Sequence, residues 1–299
     1  LVRRPPPEPL AGHPRISFCY GDLGQPEAVL EAVEGARTVY HVGATMDGGQ
    51  EDYQRGTIWG TRNMIAACLR HGVERLVYVS SLSVLDYAGH RLGTKVDEAA
   101  PLEPYAEQRG FYAWSKLEAE KLVTAAMREQ GLAAVVLRPG QIFGPGAEMV
   151  SPYGIVGVGG QWIVIGSGNL PLPLVYVEDV VDALLAAGEK SEAAGGLFQL
   201  VDPELVTQKE YLEHFERRFG EKVSVRYVPA WFLYCGAIGL EILGKLLGRR
   251  VPLTRYRLRS IKGIATFDCT AAREKLGWQP RVGVREGLMR TFGGPAGKA

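Results

Sequence analysis

Cysteine is scarce in this chain. Only four of its 299 residues are cysteine (Cys19, Cys68, Cys235, Cys269), with no CxxC pair and no Cys/His cluster at ligand spacing. That excludes a disulfide scaffold, argues against a structural metal and fits a reducing, cytoplasmic compartment. An excess of charge of one sign is also missing: 34 basic against 33 acidic residues leave +1, so nothing global marks a nucleic-acid binder. The opening LVRRPPPEPL has no apolar run behind its arginines, so no secretory leader is expected there. With 46% apolar and 22% charged residues and no repeat, collagen, coiled coil and intrinsic disorder are excluded. A soluble α/β chain remains.

Long apolar runs are few, and one stands out. AWFLYCGAIGLEILGKLL (230–247) approaches the length of a membrane span. Glu241 and Lys245 lie inside it at i,i+4 spacing, and Gly236, Gly239 and Gly244 weaken it, which predicts an amphipathic helix rather than a span. Between 242 and 267 stand seven basic residues (Lys245, Arg249, Arg250, Arg255, Arg257, Arg259, Lys262) and no acidic one. Two readings stay open. The run is a lid helix on a substrate lobe, with Glu241 and Lys245 on its wet side, or 230–262 makes peripheral contact with an anionic membrane.

Apolar β-rich runs alternate with helical periods through the first two-thirds of the chain. RISFCY (15–20), TVYHVGA (38–44), RLVYVSS (75–81) and AAVVLRPG (133–140) read as strands. QPEAVLEAVEG (25–35), the segment 52–71 and FYAWSKLEAEKLVTAAMREQG (111–131) read as helices. Strands without polar alternation imply a parallel sheet covered on both faces, a doubly wound α/β fold. Beyond 144 the pattern loosens, with strands expected at 173–177, 196–202 and 223–228 and helices at 178–190, 208–219, 270–277 and 284–292. No linker separates independent domains. A single domain over 1–299 is expected, its core from 1–143 with 173–202 and a smaller substrate lobe from 144–172 and 203–299. Gly154, Gly157 and Gly160 match a glycine-loop spacing, but QWIVIGSGN follows them instead of a helix, so a substrate-side loop is expected there and not a phosphate cradle.

The strongest local chemical signal is Tyr112-Ala-Trp-Ser-Lys116. On a helix the two ends of this motif share a face, and an ammonium beside a phenol favours phenolate, lowering the Tyr112 pKa toward working pH. Such a pair suits proton transfer in an alcohol/ketone interconversion. Ser81 lies where a parallel strand ends and ligands gather, although Ser80 and Ser81 taken alone read as strand-end caps. Asp22 reads as a turn residue, Gly43 and Ala44 as a closely packed strand end, and His41 as a packed core histidine.

The order VYVSS, YAWSK, LRPGQIFGPG resembles the extended short-chain dehydrogenases/reductases. GDL (21–23), VYHVGA (39–44), GTRN (60–63), YVEDVVDA (176–183) and AAREKLGWQP (271–280) agree, so the likeness covers essentially the whole chain. The resemblance implies a Rossmann-like fold, an NAD(P) cofactor, a small-molecule substrate and a catalytic set of Ser81, Tyr112 and Lys116. It implies cofactor contacts at Asp22, Leu23, Gly43, Ala44, Ser80 and Lys116, and from Pro139 through Ile142, with no metal. The family opens with a strand and a glycine-rich turn, whereas this chain opens on LVRR, which resembles the end of a second strand; a sequence lacking its first strand–helix unit is expected to bind dinucleotide weakly. Where the family reads NVxGT this chain has Thr57-Ile-Trp-Gly60-Thr61.

Within the family, Leu82 and Ser83 stand where dehydratases carry Asp-Glu, and Gln141 replaces an asparagine of the nucleotide-sugar epimerases. The likeness is nearer to the 3β-hydroxysteroid dehydrogenase and dihydroflavonol reductase branch, implying an oxidoreductase for an apolar hydroxyl or keto substrate. A nucleotide-sugar epimerase and a non-catalytic NADPH-sensing or scaffold protein are the alternatives, and a homodimer stays open. Arg3 and Arg4 follow the presumed second strand, where an acid would bind the ribose 2′-OH of NAD; guanidiniums there suit the 2′-phosphate of NADP(H).

Overall fold

The unbroken apolar runs at 75–79 and 134–138 need cover on both faces, and a parallel sheet supplies it. The structure, a computed structural model, describes residues 1–6, 8–87, 93–158, 161–220, 224–248, 251, 254–262 and 266–293. They fall into two units. The first comprises Leu1–Val84, Leu102–Arg138 and Leu184–Phe198; the second comprises Leu85–Pro101, Pro139–Ala183 and Gln199–Ala299.

Strands β1 (Thr38–His41), β2 (Arg75–Val79), β3 (Ala134–Pro139) and β4 (Leu197–Leu200) lie side by side in that order. The first three run parallel, with Thr38 opposite Arg75 and Leu76 opposite Ala134. Helices α1 (Pro26–Val33), α2 (Gly60–His71) and α3 (Phe111–Gln130) cover one face. Val29, Met64, Cys68 and Val123 pack there against Leu76, Tyr78, Ala134 and Val136. Val77, Val135 and Leu137 point the other way in the strand alternation and are fully buried too. That two-sided burial is the physical reason the strands read as continuous apolar runs. Gly131, left-handed at φ 68°, stops α3 where the sequence expects.

RISFCY departs from expectation. Residues 16–19 form no strand, and Tyr20 makes a single bridge to Val2. A β-prone run becomes a strand only where a neighbour offers backbone partners, and here the ladder bonds are limited to Val2 N–H to Cys19 O and Gly21 N–H to Val2 O. The helix expected at 52–71 begins at Gln50 and passes through a π-turn at Gln54–Trp59 before α2.

The second unit holds a three-stranded sheet in which Gln161–Ile165 pairs antiparallel with Ile155–Val158 and parallel with Ser224–Val228. The glycine run at 154–158 is therefore one arm of a hairpin; Gly160, like Val223, Arg249 and Arg250, lies outside the described residues. Helices α4 (Val177–Glu189), α5 (Gln208–Phe219), α6 (Ala230–Leu247), α7 (Arg255–Lys262) and α8 (Gly283–Phe292) complete the chain. Trp162 stacks on Phe215 at 3.9 Å within a core that also takes in Phe143, Leu174, Tyr211 and Phe292.

α6 has the expected bounds but not the expected sides. Ala230, Leu233, Tyr234 and Ala237 pack on Ile165 and Leu258. Glu241 turns to that same inner side, where its carboxylate accepts from the Arg255 amide and guanidinium, both at 2.7 Å. It does not mark a wet face. The outward side carries Trp231, Phe232, Ile238, Ile242, Leu243 and Leu246.

Candidate functional site

β2 ends at Val79, and the chain turns through Ser80 and Ser81 into a single 3-10 turn, Leu82–Val84. α3 begins at Phe111 and places Tyr112, Lys116 and Glu120 along one face, one helical step apart. The Tyr112 phenol lies near enough to the Ser81 hydroxyl for the hydroxyl to lower its pKa. Ser81 Oγ also accepts from the Ser83 amide at 3.1 Å, which fixes its direction. Lys116 is buried, its Nζ donating to the Val79 carbonyl at 2.6 Å and standing 5.1 Å from the Tyr78 ring centre. All three residues of the expected catalytic set therefore converge at the end of β2.

The electrostatics differ from the expectation. Burial pushes the Tyr112 phenol above its ordinary value, the nearby Ser81 hydroxyl pulls it back, and Tyr53 adds to the rise. The lysine is itself pulled down to about 8 by burial, with the Glu120 carboxylate opposing. Desolvation thus outweighs the ammonium, whose proton is engaged by a backbone carbonyl instead of facing the phenol.

Two residues missed at the level of sequence underlie this site. Glu120 is buried and accepts from Ser80 Oγ at 2.5 Å and from the Arg138 guanidinium at 3.1 and 2.5 Å. Ser80, expected on the cofactor side, is thereby committed to the protein interior. The signals existed: Glu120 repeats the step from Tyr112 to Lys116, and Arg138 is a charge inside an apolar strand, which demands a partner. A second buried pair joins Arg109 to Glu103 at 3.2 Å. Arg109 also donates to the Ser83 carbonyl at 3.1 Å, and the Glu103 amide bonds Val84 O at 2.8 Å, fastening the approach to α3 onto the turn that carries Ser81.

The other expected contacts fall into two places. Asp22 Oδ1 caps the Gly24 amide at 2.9 Å, and its other oxygen lies 3.7 Å from Arg3. Leu23 meets the end of β1: a Cβ on Gly43 would stand 2.9 Å from its Cδ1 and one on Gly60 2.7 Å from its Cβ, while Asn63 donates to its carbonyl at 2.9 Å. Thr57, in place of the family's asparagine, is buried and accepts from the Thr45 amide at 2.9 Å, so a polar contact survives next to Ala44. His41 is buried 3.0 Å from Thr61 Oγ1 and held neutral, its pKa pulled to about 3 by burial and by Lys116. Pro139 and Ile142 belong to the second unit, Ile142 within a strand paired to Leu174–Tyr176. The Gln141 side chain donates to Ser151 O and accepts from the Tyr153 amide, at 3.2 and 2.8 Å. Among the described residues no group of His, Cys, Asp and Glu is arranged to hold a metal.

Comparison with known proteins adds to this geometry. Residues 1–200 match the family described as NAD dependent epimerase/dehydratase. A 3beta-hydroxysteroid-dehydrogenase/decarboxylase of Arabidopsis thaliana is 32% identical over 93% of this chain and 66% of its own length. A 2-alkyl-3-oxoalkanoate reductase of Stenotrophomonas maltophilia is 33% identical over 90% of this chain and 84% of its own. The chain spans 66% and 52% of the lengths of the two Arabidopsis isoforms it matches. In fold it is similar to a dTDP-glucose 4,6-dehydratase from Streptomyces venezuelae solved with NAD, with a TM-score of 0.69 at 21% identity over 95% of this chain and 80% of that one.

Proposed function

We propose, since the chain belongs to the NAD dependent epimerase/dehydratase family, that it is an NAD(P)-dependent oxidoreductase interconverting a hydroxyl and a keto group on an apolar, steroid-, lipid- or flavonoid-like substrate. The observation that carries the proposal is the grouping of Ser81, Tyr112 and a buried Lys116 at the end of β2. The names of the 3beta-hydroxysteroid and 2-alkyl-3-oxoalkanoate relatives support the substrate class.

The residues present suit a nicotinamide cofactor. Gly43 leaves bare backbone just past the end of β1, packed so closely on the Leu23 side chain that an added Cβ would force its terminal methyl to shift. Leu23, Gly43 and Ala44 would hold the dinucleotide, with Lys116 at its nicotinamide ribose. When bound, the nicotinamide supplies or accepts the hydride. Ser81 and Tyr112 orient the substrate oxygen by hydrogen bonds, and Tyr112 Oη gives it a proton in reduction or takes one in oxidation. Four unpaired thiols are in keeping with a cytoplasmic setting. The epimerase alternative loses support, because the Gln141 side chain is spent on the 151–153 backbone.

Steady-state assay with an apolar secondary alcohol or its ketone tests the assignment. Tyr112→Phe is expected to lower turnover by about 10²–10⁴-fold while leaving dinucleotide affinity unchanged. Turnover near that of the parent protein would refute it. The finer cofactor proposal is NADP(H), supported by the exposed Arg3 guanidinium near Asp22. A clear preference for NADH in the same assay would reverse it.

A further inference from the structure

We propose that α6 lies in the surface of an anionic phospholipid bilayer, parallel to it, with its outward face in the acyl region and α7 on the headgroups. The inference is independent of the catalytic reading. α6 is 18 residues long with a mean hydropathy of 1.4. Its outer side is apolar along its full length: Trp231, Ile242 and Leu246 are 68%, 56% and 79% exposed, and Phe232, Ile238 and Leu243 join them. Of the helix's two charged residues, Glu241 is turned inward onto Arg255 and only Lys245 is exposed. Exposing such a stripe to water is unfavourable, and its size exceeds the scattered apolar residues of an ordinary surface.

Spanning the bilayer is excluded by what α6 rests on. The strand Ser224–Val228 before it pairs along its length with Gln161–Ile165, and α7 after it holds Glu241 through Arg255. Ala230, Leu233, Ala237 and Gly244 keep one side of the helix on that body from end to end. A crossing helix would have to surrender this inner side, whereas an in-plane helix keeps it and buries only the other.

Charge selects the occupant. Glu241 is the one acid between 230 and 267, and Arg255 engages it. Arg257 and Arg259 are exposed on α7, Lys245 is exposed on α6, and Arg249, Arg250 and Lys262 add to the excess in the same stretch of sequence. A second copy of this chain would bring the same positive charge to the interface and be repelled. An anionic lipid surface complements it. Trp231, packed edge-on to Phe232 at 5.9 Å, sits at the first turn of α6, where an amphipathic ring suits the boundary between headgroups and acyl chains.

The 299-residue chain, sedimented with vesicles of phosphatidylcholine and phosphatidylglycerol, is expected to bind at low salt and to be largely released at high salt, and to bind phosphatidylcholine alone far more weakly. Arg257→Gln with Arg259→Gln should lower partitioning roughly 30-fold, at about a fivefold loss for each basic residue near the surface. Ile242→Glu with Leu246→Glu, at exposed positions and with unchanged circular dichroism, should abolish binding. Trp231 emission should shift to the blue on binding and be quenched by lipids brominated near the headgroup more than by those brominated at the chain ends. Absence of binding to anionic vesicles, or binding that survives Ile242→Glu/Leu246→Glu, overturns the proposal. So does deep quenching, which would mean insertion across the bilayer. A lipid-free dimer that the same double substitution converts to monomer would assign the face to a second copy instead.

Discussion

A buried ammonium is unfavourable unless something compensates it, and Lys116 shows the imbalance in a pKa held near 8 instead of 10.5. Between those values the unfolded chain keeps a proton that the folded one has released, so stability rises with pH across that window, and the penalty stands in full below it. Lys116→Met is therefore expected to stabilise the protein at neutral pH by on the order of 1–2 kcal/mol while removing turnover. The gain should shrink as the pH rises from about 8 to 10.5. Urea unfolding of both proteins at pH 7 checks it, and a lower midpoint for the variant would contradict it. Glu120 and Arg138 behave oppositely. Removing either leaves a buried charge without its partner, so Glu120→Leu should cost about 3–5 kcal/mol, and adding Arg138→Met should recover most of that loss in a double-mutant cycle. The shared helix face of Tyr112 and Lys116 was legible from their spacing, and the nearness of Ser81 to them from the family resemblance. The upward push on the phenol was not, because it arises from enclosure by segments distant in sequence.

At the level of elements, the helices were the most legible parts. α3, α5, α6 and α8 fall within a residue or two of their sequence-based bounds, since apolar periodicity and terminal glycines are local signals. RISFCY carried the composition of a strand without the neighbours of one. The sides of α6 were misjudged for a related reason: i,i+4 spacing pairs Glu241 with Lys245 on paper, but the partner that turns it inward is Arg255, fourteen residues on. The start of α8 shows how far such long-range ties matter. Buried Asp179, from α4, accepts the amides of Arg281, Val282 and Gly283 at 2.8, 2.9 and 3.0 Å. The amides of Val282 and Gly283, at the cap and first position of α8, are otherwise unpaired donors of a helix N-terminus. Asp179→Ala removes the shared acceptor of all three part-buried amides, and about 2–4 kcal/mol should be lost, more than an ordinary surface cap, as read from the thermal midpoint.

For the whole molecule, the parallel sheet was foreseeable because both faces of β2 and β3 are covered, while the boundaries of the two units follow contacts that no local pattern encodes. The response to acid is likewise global. His41 stays neutral in the fold to about pH 3, against 6.5 when free. Over that interval the unfolded chain binds the extra proton, so stability falls as pH drops below 6.5, by about 3 kcal/mol on reaching pH 4. Asp268, held near 2 by hydrogen bonds from Lys95 and Thr270, contributes stability above its ordinary 3.8 that fades only in stronger acid. The first loss on acidification should therefore belong to the histidine. His41→Gln is expected to flatten the unfolding midpoint between pH 4 and 6.5, and an unchanged slope would assign the loss to other groups.

Neutral His41 also makes unfolding a proton-consuming reaction. In mildly acidic solution each molecule that opens withdraws hydrogen ions from its buffer, and the buffer must ionise to replace them. The heat of that ionisation is added to the heat of unfolding. Calorimetric scans at one pH should thus give different apparent enthalpies in acetate and in histidine buffer, while the midpoint stays where it was. The difference between the two buffers counts protons directly, so the charge state of one interior ring becomes readable as heat.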